Sequence, residues 1–222
     1  MKTILITGGS DGLGKAMATR LAPNHRVIIL SPDEAKLREA AQAISCDYKV
    51  CDVRDYAQVE KTVGEVGAID CLINNAGIWI EGRLEDNDPT YIHQVLEVNT
   101  LGVINFTRAV VPGMKQQTSG LIINVISQAG LHAKAERSVY TASKWAITGF
   151  TKAMQLELAP FGIGVTGLYP GMLKTQMFAK VGIKKDLDKA LDTEEVAKTV
   201  EFMLSLDPRT TLPEVGLKSI DY

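Results

Sequence analysis

Tyr140 and Lys144 stand four residues apart in Ser138-Val-Tyr-Thr-Ala-Ser-Lys144. On a helix, positions i and i+4 share a face, so the phenol and the ammonium come within mutual reach. A neighbouring ammonium favours the phenolate and draws a tyrosine pKa down from about 10 toward operating pH. That would make Tyr140 usable as a general acid or base. Ser127 closes the run Leu121–Ile126 at the strand end where open α/β sheets bind ligands. Alone, a Tyr-x-x-x-Lys pair is common and reads more readily as a half-buried surface pair.

A second set of residues points to a phosphate-bearing ligand. Thr7-Gly-Gly-Ser-Asp-Gly-Leu-Gly14 leads from an apolar run into Lys15-Ala-Met-Ala18. Gly8, Ser10, Gly12, Leu13 and Gly14 would let the backbone approach a pyrophosphate, with a helix N-terminus supplying N–H donors. Gly9-xxxx-Gly14-Lys15 also matches a nucleotide triphosphatase loop up to the lysine. Ala16 stands where that chemistry needs a Ser or Thr hydroxyl on Mg²⁺, so this reading fails. The G-x-G-x-x-G fingerprint fails too, because Met17 follows Gly12-Leu-Gly14 three residues on. A tight turn without a ligand remains the plain alternative.

Positioning these groups requires βαβ units. Short β-branched runs alternate with helical patterns, the signature of a parallel sheet covered on both faces. Strands are expected near Thr3–Thr7, Arg26–Leu30, Tyr48–Cys51, Cys71–Asn74, Leu121–Ile126, Val165–Tyr169 and Val215–Ile220. Helices are expected over Leu13–Leu21, Asp33–Ile44, Tyr56–Val66, Pro89–Gln117, Ser138–Phe161 and Thr193–Leu204, with a shorter one near Gln176–Leu191. Ser31-Pro-Asp-Glu34 reads as a capping box with Ser31 as the cap and proline in the first turn. The expected fold class is α/β, one doubly wound domain over residues 1–222.

Composition narrows the function classes. The 24 Lys plus Arg nearly balance the 26 Asp plus Glu, without blocks of like charge that would suggest nucleic acid or a membrane surface as partner. The 45% hydrophobic content suffices for a sizeable core, yet its apolar runs are far short of the ~20 residues that cross a bilayer. The chain runs from Met1 straight into a strand, which leaves no leader and makes cytoplasm the expected location. Cys46, Cys51 and Cys71 lack metal-ligand spacing and read as reduced thiols. No metal is expected.

Taken in order, the glycine turn, Asn74-Asn-Ala-Gly77, Asn99 within a long helix, Ser127, Tyr140-x-x-x-Lys144 and Pro170-Gly171 resemble the classical short-chain dehydrogenase/reductase family over Ile4 to Ile220. The resemblance implies a Rossmann-type doubly wound parallel sheet of about seven strands, and hydride transfer between NADP(H) or NAD(H) and a small carbonyl or alcohol compound. It makes Tyr140 the proton donor or acceptor. Lys144 would lower the tyrosine pKa and hold the nicotinamide ribose, Ser127 would hydrogen-bond the substrate oxygen, and Asn99 would help hold a relay water. Asn75, Ala76 and Gly77 would line the cofactor cleft, with Asp52 and Val53 at the adenine. Pro170, Gly171, Leu173 and Thr175 would cradle the nicotinamide amide.

The residues keep their alternatives. Asn74 and Asn75 serve equally to cap a helix or pin strands, and Asp52 suits a turn acid. Asn99 is a poor helix former beside Gly102, which points to a helix distortion with a polar task. At the end of strand two the family separates its cofactors by an acid or an arginine; Ser31 is neither. Lacking the acid that holds a ribose 2′-OH slightly favours NADP(H) over NAD(H), although Asp11, Asp33 and Glu34 oppose a further phosphate. Residues 172–191 would cap the substrate; Lys180, Lys184 and Lys185 there could favour an anionic substrate but read more simply as a solvated helix face. His132 would border the cavity. Trp79 and Trp145 read as packing residues, Trp79 being placed to reach the pocket mouth. A homodimer through the helices carrying Asn99 and Tyr140 is expected. A dinucleotide-sensing protein on the same fold is the rival class, and it would need no Ser127, Tyr140 and Lys144.

Overall fold

The computed structural model describes residues 1–221; Tyr222, the last residue of the expected domain, lies outside them. Seven parallel strands form one sheet in the order β3-β2-β1-β4-β5-β6-β7. They are β1 (Thr3–Thr7), β2 (Arg26–Ser31), β3 (Asp47–Val50), β4 (Cys71–Asn74), β5 (Gly120–Val125), β6 (Ile163–Pro170) and β7 (Glu214–Leu217). Between them run α1 (Gly12–Leu21), α2 (Glu34–Ile44), α3 (Tyr56–Val66), α4 (Pro89–Leu96), α5 (Gly102–Gln117), α6 (Ser138–Leu158) and α7 (Thr193–Ser205).

The continuous apolar runs explain the layering. Successive strand side chains point to opposite faces, so a run with no polar alternation must be covered twice. Ile4 and Ile6 of β1 with Ile29 of β2 pack against Met17, Leu37 and Val200 on one face. Leu5, Ile28 and Leu30 pack against Val59, Phe106 and Val110 on the other. Each such side chain contributes roughly 1.5–3 kcal/mol when fully buried. Cys71 lies in the first core and Cys51 in the second; burial pushes the Cys71 thiol up to about 12. No helix among the described residues is long and apolar enough to cross a membrane.

The sheet order reverses between β1 and β4, which opens a crevice at the strand C-termini. Buried side chains pin the strands there. Asn74 Nδ2 donates to Asn124 Oδ1 at 2.9 Å and to Thr107 Oγ1 at 3.2 Å, and Asn124 Nδ2 donates to Thr151 Oγ1 at 2.9 Å. Asn74 is thus a strand pin.

Three expectations change. Ser31 does not cap α2: it ends β2 paired with Val50, and Asp33 takes the cap by accepting from Lys36 N at 3.1 Å. Strand pairing outweighs the local capping signal. The helix expected near Gln176–Leu191 is absent; one 3₁₀ turn (Ala179–Val181) and a bridge from Leu173 to Leu191 order that segment instead. Its apolar side chains Met177, Phe178 and Val181 turn inward singly rather than as a helical stripe. The helix expected over Pro89–Gln117 is broken by a π-helical turn at Glu97–Leu101 centred on Asn99.

Candidate active site

One cleft of about 750 Å³ opens across the crevice. Gly8, Ser10, Gly12 and Leu13 line it at the turn after β1, Ser31 at the end of β2, Asp52 and Val53 after β3, and Asn75, Ala76 and Gly77 after β4. Ser127 lines it just after β5, Tyr140 and Lys144 from α6, Pro170 from the end of β6, and Gly171, Leu173 and Thr175 from the segment that follows. Gly14 and Asn99 stand behind this wall.

The glycine turn is clamped from below. Thr7 Oγ1 accepts from Asn75 N at 2.9 Å and Ala76 N at 3.0 Å, while Asn75 Nδ2 donates to the Thr7 and Gly8 carbonyls at 3.0 and 3.1 Å. Gly8 sits at φ +66°, and a Cβ on Gly14 would come within 2.2 Å of the Gly8 carbonyl oxygen. Helix and turn therefore touch backbone to backbone. The α1 ladder starts with Lys15 N donating to Asp11 O, so the Leu13 and Gly14 N–H groups have no carbonyl partner within the helix. This donor set fits a dinucleotide pyrophosphate. Asp11 caps α1 through Gly12 N and pairs with Lys180 at 2.7 Å.

Tyr140 and Lys144 occupy the first turns of α6, and both are 5% exposed. Burial shifts both groups toward their neutral forms. It pushes the Tyr140 phenol up to about 12, against the opposing pull of the Ser127 hydroxyl and the Arg137 charge. It also lowers Lys144 to about 8. The depression of Tyr140 expected from Lys144 is thus not what the structure carries. Lys144 Nζ is 5.7 Å from the phenol ring centre and donates to the Val125 carbonyl at 3.2 Å.

Ser127 has φ 152° and ψ 160°. That region is nearly exclusive to glycine and costs on the order of 1–3 kcal/mol for other residues. Its Oγ accepts from Ala129 N at 3.1 Å. Asn99 uses the π-turn to reach β4's exit: Oδ1 accepts from Ile78 N at 2.8 Å, and Nδ2 donates to Ile78 O at 3.0 Å and Ser143 Oγ at 3.2 Å. A Cβ on Gly77 would lie 3.4 Å from Asn99 Oδ1 and 3.7 Å from Lys144 Nζ, so Asn99, Gly77 and Lys144 converge. Asp52 is gripped by Arg54, whose Nη2 lies 2.6 Å from its carboxylate.

Trp79 packs 4.3 Å from the Tyr140 ring and 4.9 Å from Phe178, centre to centre. Glu81 holds it by accepting from Trp79 Nε1 at 3.2 Å. The same carboxylate receives Lys185 at 3.0 Å and Arg137 at 3.4 Å. Residues 172–191 are thereby tied at two points, Lys180 to Asp11 and Lys185 to Glu81. Sequence reasoning missed Arg54 and Arg137 as cleft residues, because their spacing matches no recurrent pattern. Trp145 is 52% exposed and belongs to no core.

Comparison with known proteins bears on the family and the fold. A family model described as short chain dehydrogenase matches residues 2–186. D-beta-hydroxybutyrate dehydrogenase of Cupriavidus necator is 35% identical, over 81% of this chain and 73% of its own. An alcohol dehydrogenase from the archaeon Thermococcus sibiricus, solved with 5-hydroxy-NADP, superposes with a TM-score of 0.88 at 28% identity, covering 99% of this chain and 97% of its own. A closed serine dehydrogenase complexed with NADP+ superposes with a TM-score of 0.92 at 26% identity, covering 99% and 96%.

Proposed function

This chain belongs to the short-chain dehydrogenase family, and we propose that it moves a hydride between a nicotinamide dinucleotide and a small alcohol or carbonyl compound, with Tyr140 as proton donor and acceptor. The carrying observation is the convergence of Ser127, Tyr140 and Lys144 on the cleft that the glycine turn also lines. A dinucleotide held by the glycine turn would supply or accept the hydride. Tyr140 gives a proton to the substrate oxygen during reduction and takes it during oxidation. Ser127 donates a hydrogen bond to that oxygen, where negative charge grows as hydride arrives. Lys144, near 8, keeps an ammonium beside the cofactor ribose at neutral pH. Asn99 fixes the Ile78 wall behind Gly77 and contributes to the proton relay. Residues 172–191 cap the substrate.

NADP(H) is favoured slightly over NAD(H). Once Asp33 caps α2, the Ser31 hydroxyl accepts from Asp33 N at 3.3 Å and keeps its own hydrogen to donate. Of the acids that would repel a 2′-phosphate, Asp11 is engaged by Lys180 and Asp33 by Lys36, while Glu34 stands exposed to solvent. A homodimer is proposed through the outer faces of the π-turn with α5 and of α6, the helices carrying Asn99 and Tyr140, supported by exposed Leu101 and Trp145. A monomer by light scattering at micromolar concentration would refute that assembly.

The decisive experiment is a panel of carbonyl compounds and alcohols followed by nicotinamide absorbance, with Tyr140→Phe alongside. The variant should bind dinucleotide normally and lose about 10³–10⁴-fold in turnover. Near wild-type activity in it would remove the central role of Tyr140.

A further inference from the structure

Around Tyr140 the cleft wall is apolar, built from Trp79, Tyr91, Met172, Met177 and Phe178. The charged groups lining this end are of one sign. Lys134 and Arg137, with His132, lead into α6. Among the described residues, the two carboxylates lining the cleft, Asp11 and Asp52, stand at the dinucleotide end, and each is already paired. Glu136, beside Arg137 in the chain, is exposed and does not line the cleft.

Arg137 stands out among these cations. Its side chain is 19% exposed and its guanidinium lies 5.2 Å from the Trp79 ring centre. A guanidinium has five N–H donors. Among the described residues only Nη2 is engaged, at 3.4 Å from Glu81 Oε1, and Lys185 takes the same oxygen at 3.0 Å. Two cations on one carboxylate leave a positive charge over, and Lys185 holds the shorter contact. A largely desolvated cation without full compensation is costly. A carboxylate entering the cleft would meet it in the bidentate geometry that guanidinium favours.

We propose that Arg137 is the receptor for a carboxylate on the substrate, so that the compound turned over is a small oxo or hydroxy acid. This rests on the dehydrogenase reading above and narrows it. One indole, Trp79, touches both the Tyr140 ring and the Arg137 guanidinium. The span between the reacting carbon and the carboxylate is therefore short and apolar. In reduction the oxo carbon gains the hydride released as the reduced nicotinamide is oxidised, its oxygen gains a proton, and the carboxylate is unchanged.

Butyrate and butyramide, alike in shape and different in charge, test this without turnover. Each is titrated by calorimetry into the full chain in the presence of NADP+. Wild type should bind butyrate at least about tenfold more tightly. Arg137→Met should erase that preference, and Arg137→Lys should weaken it several-fold. NADPH affinity of each variant reports whether the cleft has kept its shape. Equal affinities in wild type, or a preference that survives Arg137→Met, overturn the proposal. Should the Met variant not fold, Arg137→Lys decides alone, and an unchanged preference there overturns it. Failure of the dehydrogenase reading would look different: no absorbance change with any carbonyl compound while the butyrate preference persists.

Discussion

The two ends of the cleft are built from different materials. At the dinucleotide end the working surface is backbone, with glycines touching carbonyls and N–H groups freed by a helix start. At the substrate end it is side chain, with an indole, a guanidinium and a phenol held by one another. Backbone surfaces tolerate no added atom but need little charge control. Side-chain surfaces tolerate exchange, yet they force charged groups into a dry place. Stability and chemistry should therefore respond in opposite senses at the two ends.

Lys144→Met probes the buried side-chain end and, after Tyr140→Phe, should give the largest effect. Turnover should fall about 10³-fold, and dinucleotide binding should weaken. The folded protein should nevertheless become more stable. The wild-type Lys144 pKa is lowered to about 8 from 10.5, so burying the ammonium costs stability fully below pH 8, and the cost fades as pH rises toward 10.5. Urea unfolding at pH 7 should show a gain of about 1–3 kcal/mol in the variant, shrinking by pH 10. A variant less stable than wild type at pH 7 would sink the contrast.

Gly14→Ala probes the other end. Its Cβ would lie 2.2 Å from the Gly8 carbonyl oxygen and 2.6 Å from Asn75 Nδ2, and backbone cannot move aside as a side chain can. A loss of about 2–3 kcal/mol in stability is expected, together with loss of NADPH binding. Thermal melting with and without NADPH checks both.

Ser31→Asp is the mildest change. It should reverse the cofactor preference, about tenfold or roughly 1.4 kcal/mol toward NADPH in wild type. Dissociation constants for NADPH and NADH on both proteins measure it. If wild type already prefers NADH, Ser31 serves only to end β2.

The same division explains what could be read from the chain. Glycine spacing encodes a backbone surface directly, so Thr7–Gly14 and the sheet around it were legible, as was the need for a distortion at Asn99. Ser31 misled because its capping pattern is local, whereas β2 extends to Ser31 through long-range pairing with Val50. Residues 172–191 gave a false helix because their apolar groups answer to the cavity rather than to a helical face. The upward shift of the Tyr140 phenol escaped for a related reason: spacing shows which charge is near, but not how dry the place is. Arg137 and Glu81 are distant in sequence, and only the fold makes them neighbours.

The strap across the cleft is fastened unequally. Lys180 and Asp11 are 58% and 42% exposed, whereas Lys185 and Glu81 are 24% and 17%. Dissolved ions screen the first pair far more than the second. Raising ionic strength should therefore loosen the strap at one end only, hastening dinucleotide exchange while the substrate chamber stays shut. An enzyme limited by cofactor departure would then run faster in salt, until the inner clasp also yields.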